Sequence, residues 1–159
     1  MYSMPSWQSM IKLVHVADLK VIVGDAIEVG DTGAGVRRMI PILGGEVSGP
    51  RIKGHIMNGG ADYQILRKDG VTELDARYVI ECEDRARIYV ENWGLRHGPP
   101  ELMERIRRGE PVDPALIYFR ATPRFSTGDK NYSWLTRHVF VCDGVRRPNR
   151  VELAFYQVL

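Results

Sequence analysis

Apolar and polar residues alternate along most of this chain with a period of two, the spacing of a strand whose successive side chains point to opposite faces. Such runs predict strands over residues 12–23, 36–43, 51–57, 62–68, 71–82, 87–93, 115–121, 133–142 and 150–159, most of them rich in β-branched or aromatic residues and bounded by Gly, Pro, Asp or Asn. Asp69-Gly70 and Asp143-Gly144 read as two-residue hairpin turns, and Glu83-Asp84-Arg85 sits where a third tight turn is needed. Sequence neighbours should therefore pair antiparallel.

One helix interrupts the strands. Pro99-Pro100 opens it, Glu101 and Glu104 suit its positive end, Arg105, Arg107 and Arg108 suit its negative end, and Gly109 stops it. Its short stripe of Leu102, Met103 and Ile106 suits covering the open end of a sheet. Eight or nine strands, local hairpins and a single helix predict an all-β fold, an antiparallel up-and-down β-barrel of about eight strands with one short helix. A barrel of that size is just wide enough to be filled by side chains or to hold one small ligand.

Length and charge narrow the picture. With 159 residues, 44% hydrophobic and 26% charged, the chain is expected to form one domain over 1–159, with residues 1–10 as an N-terminal tail. A net charge of +2, from 22 basic and 20 acidic residues, is too balanced for a dedicated nucleic-acid binder. No apolar stretch is long enough to cross a membrane as a helix and the start has no secretory pattern, so the expected location is cytoplasmic and no membrane partner is expected. Self-association into a homo-oligomer is left open.

Several chemistries lack their residues. The glycines at 30, 33 and 35 are in the wrong order for a dinucleotide loop and precede an extended run, and no phosphate-binding loop is present. His15, His55, His97 and His138 stand about forty residues apart, so no metal and no cofactor is expected. Cys82 and Cys142 read as inert thiols.

The informative stretch is 74–78. Leu74, Ala76, Tyr78, Ile80 and Cys82 share one strand face, while Glu73, Asp75, Arg77 and Val79 share the other. We expect Asp75 and Arg77 on the lumen side and hydrogen-bonded, the alternative being that the apolar face fills the lumen. Asp62 and Gln64 share a face of their strand, as do Tyr118 and Arg120. The stretch 92–100, with Asn92, Gly94 and Gly98, reads as a shaped loop at a barrel mouth or a corner that docks the helix. The expected function is binding of a small organic ligand, anionic or aromatic, in the lumen, with Arg77 and Arg120 on its anionic group, Tyr118 and Trp134 as walls, and Gln64 and Asn92 as further polar contacts. An enzyme version is a cofactor-free isomerase, cyclase or lyase, in which Asp62 or Asp75 moves a proton beside a carbonyl and an Arg holds the developing oxyanion. The contrasting reading is a structural or interaction module with a filled barrel.

Five stretches, in order, resemble one known family: 42–50 (Ile-Leu-Gly-Gly-Glu-Val-Ser-Gly-Pro), 59–64 (Gly-Gly-Ala-Asp-Tyr-Gln), 74–78 (Leu-Asp-Ala-Arg-Tyr), 92–100 and 118–125 (Tyr-Phe-Arg-Ala-Thr-Pro-Arg-Phe). That family is the bacterial domain of unknown function 3237, also called uncharacterised protein family 0311. Met57-Asn58 stands where the family usually has Leu-Pro or Val-Pro, and Tyr63 where Trp is frequent. The resemblance implies a small antiparallel β-barrel and brings no assigned activity or catalytic residue.

Overall fold

In the computed structural model, which describes Ser3 and residues 10–159, the chain closes into an eight-position antiparallel β-barrel. The strands are β1 (Leu13–Val23), β2 (Ile27–Asp31), β3 (Val36–Ser48), β4 (Gly54–Ile56), β5 (Gly60–Leu66), β6 (Thr72–Cys82), β7 (Arg87–His97), β8 (Tyr118–Thr127), β9 (Val139–Arg146) and β10 (Arg150–Val158). β1 pairs with β10 on one side and β3 on the other, which closes the barrel. β4 and β5 run in line between β3 and β6 and together fill one position, interrupted at residues 57–59. β2 is an additional strand laid against the first half of β3. The tail expected over residues 1–10 lies, apart from Ser3 and Met10, outside the described residues.

β3 serves two sets of neighbours because it bends in its middle. Gly44 and Gly45 have φ of 157° and 144°, and a Cβ on Gly45 would stand 2.0 Å from the Lys20 carbonyl oxygen of β1. Only glycine brings the two backbones so close at that φ.

The end holding residues 16–19, 52, 80–90 and 125 is packed solid. Phe125 meets Phe140 edge-on at 4.9 Å and Phe155 at 5.6 Å, and Leu19, Ile52, Ile56, Ile80 and Ile88 are fully buried around them. Each such side chain contributes about 2 kcal/mol by leaving water. A 3₁₀ turn over Lys130–Thr136 closes this end, with the Arg51 guanidinium 3.6 Å above the Trp134 ring. At the opposite end α1 (Pro100–Arg107) lies over the mouth with Ile106 buried, as its apolar stripe suggests. Glu28 of β2 ties it down, its Oε1 3.1 Å from Arg38 Nε and its Oε2 3.8 Å from Arg107.

Four local readings of the sequence need correction. Asp143-Gly144 lies inside β9, and the chain turns at residues 147–149 before Arg150. The 3₁₀ turn takes the first part of the expected strand 133–142. β7 continues through the expected loop to His97, because Gly94 lets β8 approach, with the Arg120 carbonyl oxygen 2.5 Å from where a Cβ would stand. β8 runs on through Pro123, which pairs with Asn92. Its other edge meets β9 only at Arg120 and Ala121, so the N–H that proline lacks has no ladder to join. Among the described residues no helix is long and apolar enough to cross a membrane.

Candidate functional site

The upper half of the lumen, beneath α1, gathers polar residues from five strands. Alternation puts Asp62 and Gln64 of β5 on one inward face, opposite Ile40 and Arg38 of β3 in register. Asn92 and Arg96, four residues apart on β7, also point inward, as does Tyr78 of β6. Arg146 of β9 completes the group from the mouth. Apart from Arg38, which lines the mouth, these residues and an apolar wall that includes Leu74, Phe119 and Leu153 surround a cavity of about 50 Å³. Gln64 and Arg96 also line two mouth cavities against α1, of about 380 and 130 Å³.

Asp62 takes the place of a missing rung. The β5–β6 ladder lapses between the Asp62–Ala76 and Ile65–Glu73 pairs. There Asp62 Oδ1 accepts from the Asp75 backbone N–H at 2.9 Å, while its Oδ2 accepts from Gln64 Nε2 at 2.8 Å. Those bonds favour the carboxylate, yet burial outweighs them and holds the Asp62 carboxyl above its ordinary value.

Arg96 is the least exposed charged residue among the described residues. It is 4% exposed, and burial, with the like charges of Arg146 and Arg38, brings its guanidinium down to about 10 against a pull from Asp62. Arg146 is lowered by burial and by Arg38, and its Nη1 donates to the Arg147 and Arg150 carbonyls at 2.6 and 3.3 Å. Arg38 is lowered by burial and supported by Glu28. Among the described residues, no carboxylate oxygen comes within 4.0 Å of Arg96 or Arg146. Of these three guanidiniums, only Arg38 has a carboxylate at contact distance among the described residues.

Of the residues singled out from sequence, Asp62, Gln64 and Asn92 come together here and the others do not. The expectation that Asp75 and Arg77 face the lumen is overturned. Leu74, Ala76, Tyr78 and Ile80 turn inward, so Asp75 and Arg77 pair on the outer wall, with Arg77 Nε and Nη2 donating to Asp75 at 3.2 and 3.1 Å. Tyr118 and Arg120 are also outside, because Phe119 and Ala121 take the inward positions. Tyr118 stacks on His97 at 4.8 Å, and Arg120 Nε sits 3.1 Å from Asp143. Trp134 belongs to the packed far end. The alternation that places Asn92 could have found Arg38 and Arg96, since each stands at an apolar-parity position of its strand. Arg77→Ala should accordingly leave a thermal melt within experimental scatter of the parent, since an exposed pair contributes little. A collapse of the fold in that variant would contradict its outer-wall placement.

A bacterial relative called a UPF0311 protein, from Rhodopseudomonas palustris, is 49% identical over 145 residues, covering 91% of this chain and 95% of the relative. The crystal structure of a conserved protein of unknown function from the same species superimposes with a TM-score of 0.91 at 47% identity, covering 94% of this chain and 99% of that one. An enzyme from Penicillium herquei shares the fold with a TM-score of 0.71 at 20% identity, both chains being covered completely. The family model described as protein of unknown function (DUF3237) matches residues 11–158, and the chain belongs to that family.

Proposed function

We propose that the barrel binds a small organic anion with its charged group at Arg96 and Arg146 and its body reaching into the lumen, and that Asp62 moves a proton on the bound molecule without a cofactor. The observation that carries this reading is Arg96. A guanidinium 4% exposed with no carboxylate at contact distance among the described residues costs the fold stability, and an anion would relieve that cost with charge-assisted, bidentate hydrogen bonds. A carboxylate or enolate oxygen fits that description, and the apolar wall suits a hydrocarbon body.

Asp62 supplies the chemistry of an isomerase, cyclase or lyase. Its carboxylate takes a proton from a carbon beside a carbonyl, the C–H electron pair becomes the enolate, and Arg96 holds the enolate oxygen. The Asp62 proton then returns to another carbon; or the enolate expels a group on the next carbon, which leaves with its bonding pair and takes that proton; or the enolate carbon attacks a second carbonyl of the same molecule, whose π pair moves to its oxygen and takes that proton. A carboxyl held above its ordinary value is a stronger base than a solvated one, and so better suited to this step.

A thermal-shift screen of small carboxylates beside their amides tests the reading. Acids should raise the melting temperature in proportion to ln(1 + [L]/Kd) and the amides should not. Arg120→Ala, on the outer wall, should respond as the parent does. Equal response to acids and amides, or loss of response in Arg120→Ala, would place binding elsewhere.

A further inference from the structure

Below Arg96 the lumen ends in polar atoms with a particular mismatch. Tyr78 is 3% exposed and Asn92 5%, and among the described residues neither Tyr78 Oη nor Asn92 Oδ1 has a hydrogen-bond partner. Gln64 Oε1, on a side chain 3% exposed, is in the same condition. Buried polar atoms are nearly always paired, so three lining one small cavity form a template for the group that meets them.

The roles of these atoms are set by their neighbours. Gln64 commits Nε2 to Asp62, which leaves Oε1 as an acceptor. Cys142 donates its S–H to the Asp143 carbonyl at 3.2 Å, so its sulfur can accept, and Asn92 Nδ2 points to it at 3.9 Å. Asn92 therefore offers Oδ1 to the lumen. Burial holds the Tyr78 phenol well above its ordinary value, so it keeps its proton and offers an O–H. The floor thus presents one donor and two acceptors.

We propose that the ligand is a small hydroxycarboxylate, with its acid group at Arg96 and its hydroxyl accepting from Tyr78 Oη and donating to Asn92 Oδ1, an assignment of class that rests on the anion reading above. A hydroxyl satisfies both partners because it accepts and donates at once. A carbonyl accepts from Tyr78 but sets its lone pairs against the Asn92 oxygen. An ammonium donates, but it lies in the field of Arg96 and Arg146. Size agrees, since a cavity of about 50 Å³ admits a few atoms while the mouth cavities take the remainder. Spacing agrees too. Asn92 and Arg96 are four residues apart on β7, about 13 Å of wall, part of which the arginine side chain spans.

The probes are 4-hydroxybenzoate with benzoate, 4-methoxybenzoate and 4-hydroxybenzamide, and 6-hydroxyhexanoate with hexanoate, titrated calorimetrically into the parent and Tyr78→Phe. In at least one series the hydroxy acid should bind about tenfold or more tightly than its deoxy or methoxy partner. In Tyr78→Phe that preference should fall to about twofold or less, with the affinity for the deoxy acid unchanged. Without ligand, Tyr78→Phe should melt no lower than the parent, because it loses an O–H that no described residue satisfies. If acids bind, the amide does not, and the hydroxyl makes no difference, the class is wrong and the anion reading stands. A preference that survives in Tyr78→Phe removes the hydroxyl from this floor and overturns the assignment. If no acid in either series binds, both readings fall.

Discussion

Arg96→Met should melt above the parent and lose its response to small carboxylates. A guanidinium held at about 10 rather than 12.5 costs the folded state about 3 kcal/mol at neutral pH, since one unit corresponds to about 1.4 kcal/mol. Methionine keeps the linear stem and removes both the desolvation cost and the repulsion from Arg38 and Arg146. What is lost is the stacking of the guanidinium over Phe119, 5.5 Å from its ring centre, worth about 1 kcal/mol. The balance is a gain of about 2 kcal/mol, or about 4 to 8 °C for a chain of this size. Replacement of buried charge by apolar side chains of similar volume has this outcome where the charge was not there for stability. Thermal melts of parent and variant, each with and without a carboxylate that stabilises the parent, measure both effects. A variant that melts several degrees lower would make Arg96 a structural residue and remove the main support for the anion site.

The barrel was legible from period-two alternation because each strand has one wet face and one dry one. The helix was legible from its prolines, terminal charges and stop glycine. Elements whose cause is tertiary were not. β2 has β3 as its one ladder partner among the described residues and carries no strong alternation, and the 3₁₀ turn at 130–136 holds its place by closing the packed end. In the site, Asp62, Gln64 and Asn92 could be placed by parity alone. Asp75 and Arg77 are expected on the lumen side because the opposite face of β6 is Leu74, Ala76, Tyr78 and Ile80, and that expectation fails. The cost of burying charge makes the opposite choice the default, and the apolar face of β6 went inward. The arginines that reach the mouth from the barrel wall, Arg38, Arg96 and Arg146, stand singly at inward positions of three different strands, β3, β7 and β9. Nothing local in the sequence announces that these strands bring them together.

Whether Asp62 carries a proton or merely balances Arg96 is decided by the pH dependence of Asp62→Asn. A carboxyl whose value is raised on folding keeps its proton in the native state after the unfolded chain has released it. Native protein then binds more protons than unfolded protein, so the contribution of Asp62 to stability falls as pH rises from about 3.8 through the raised native value, and is level above it. Asparagine does not titrate. At the acidic end Asp62→Asn should be the less stable protein, because its amide N–H₂ faces Gln64 Nε2, donor against donor, where the carboxyl accepted. That deficit should shrink as pH rises, as the parent alone loses stability. Urea unfolding of parent and variant across the acidic and neutral range gives the difference directly, and the other carboxylates cancel from it. If Asp62 were the counter-ion of Arg96 its value would be depressed, and the difference would grow with pH instead of shrinking. That outcome would leave Arg96 already neutralised from within and Asp62 a poor base, so a single slope tests both halves of the proposed site.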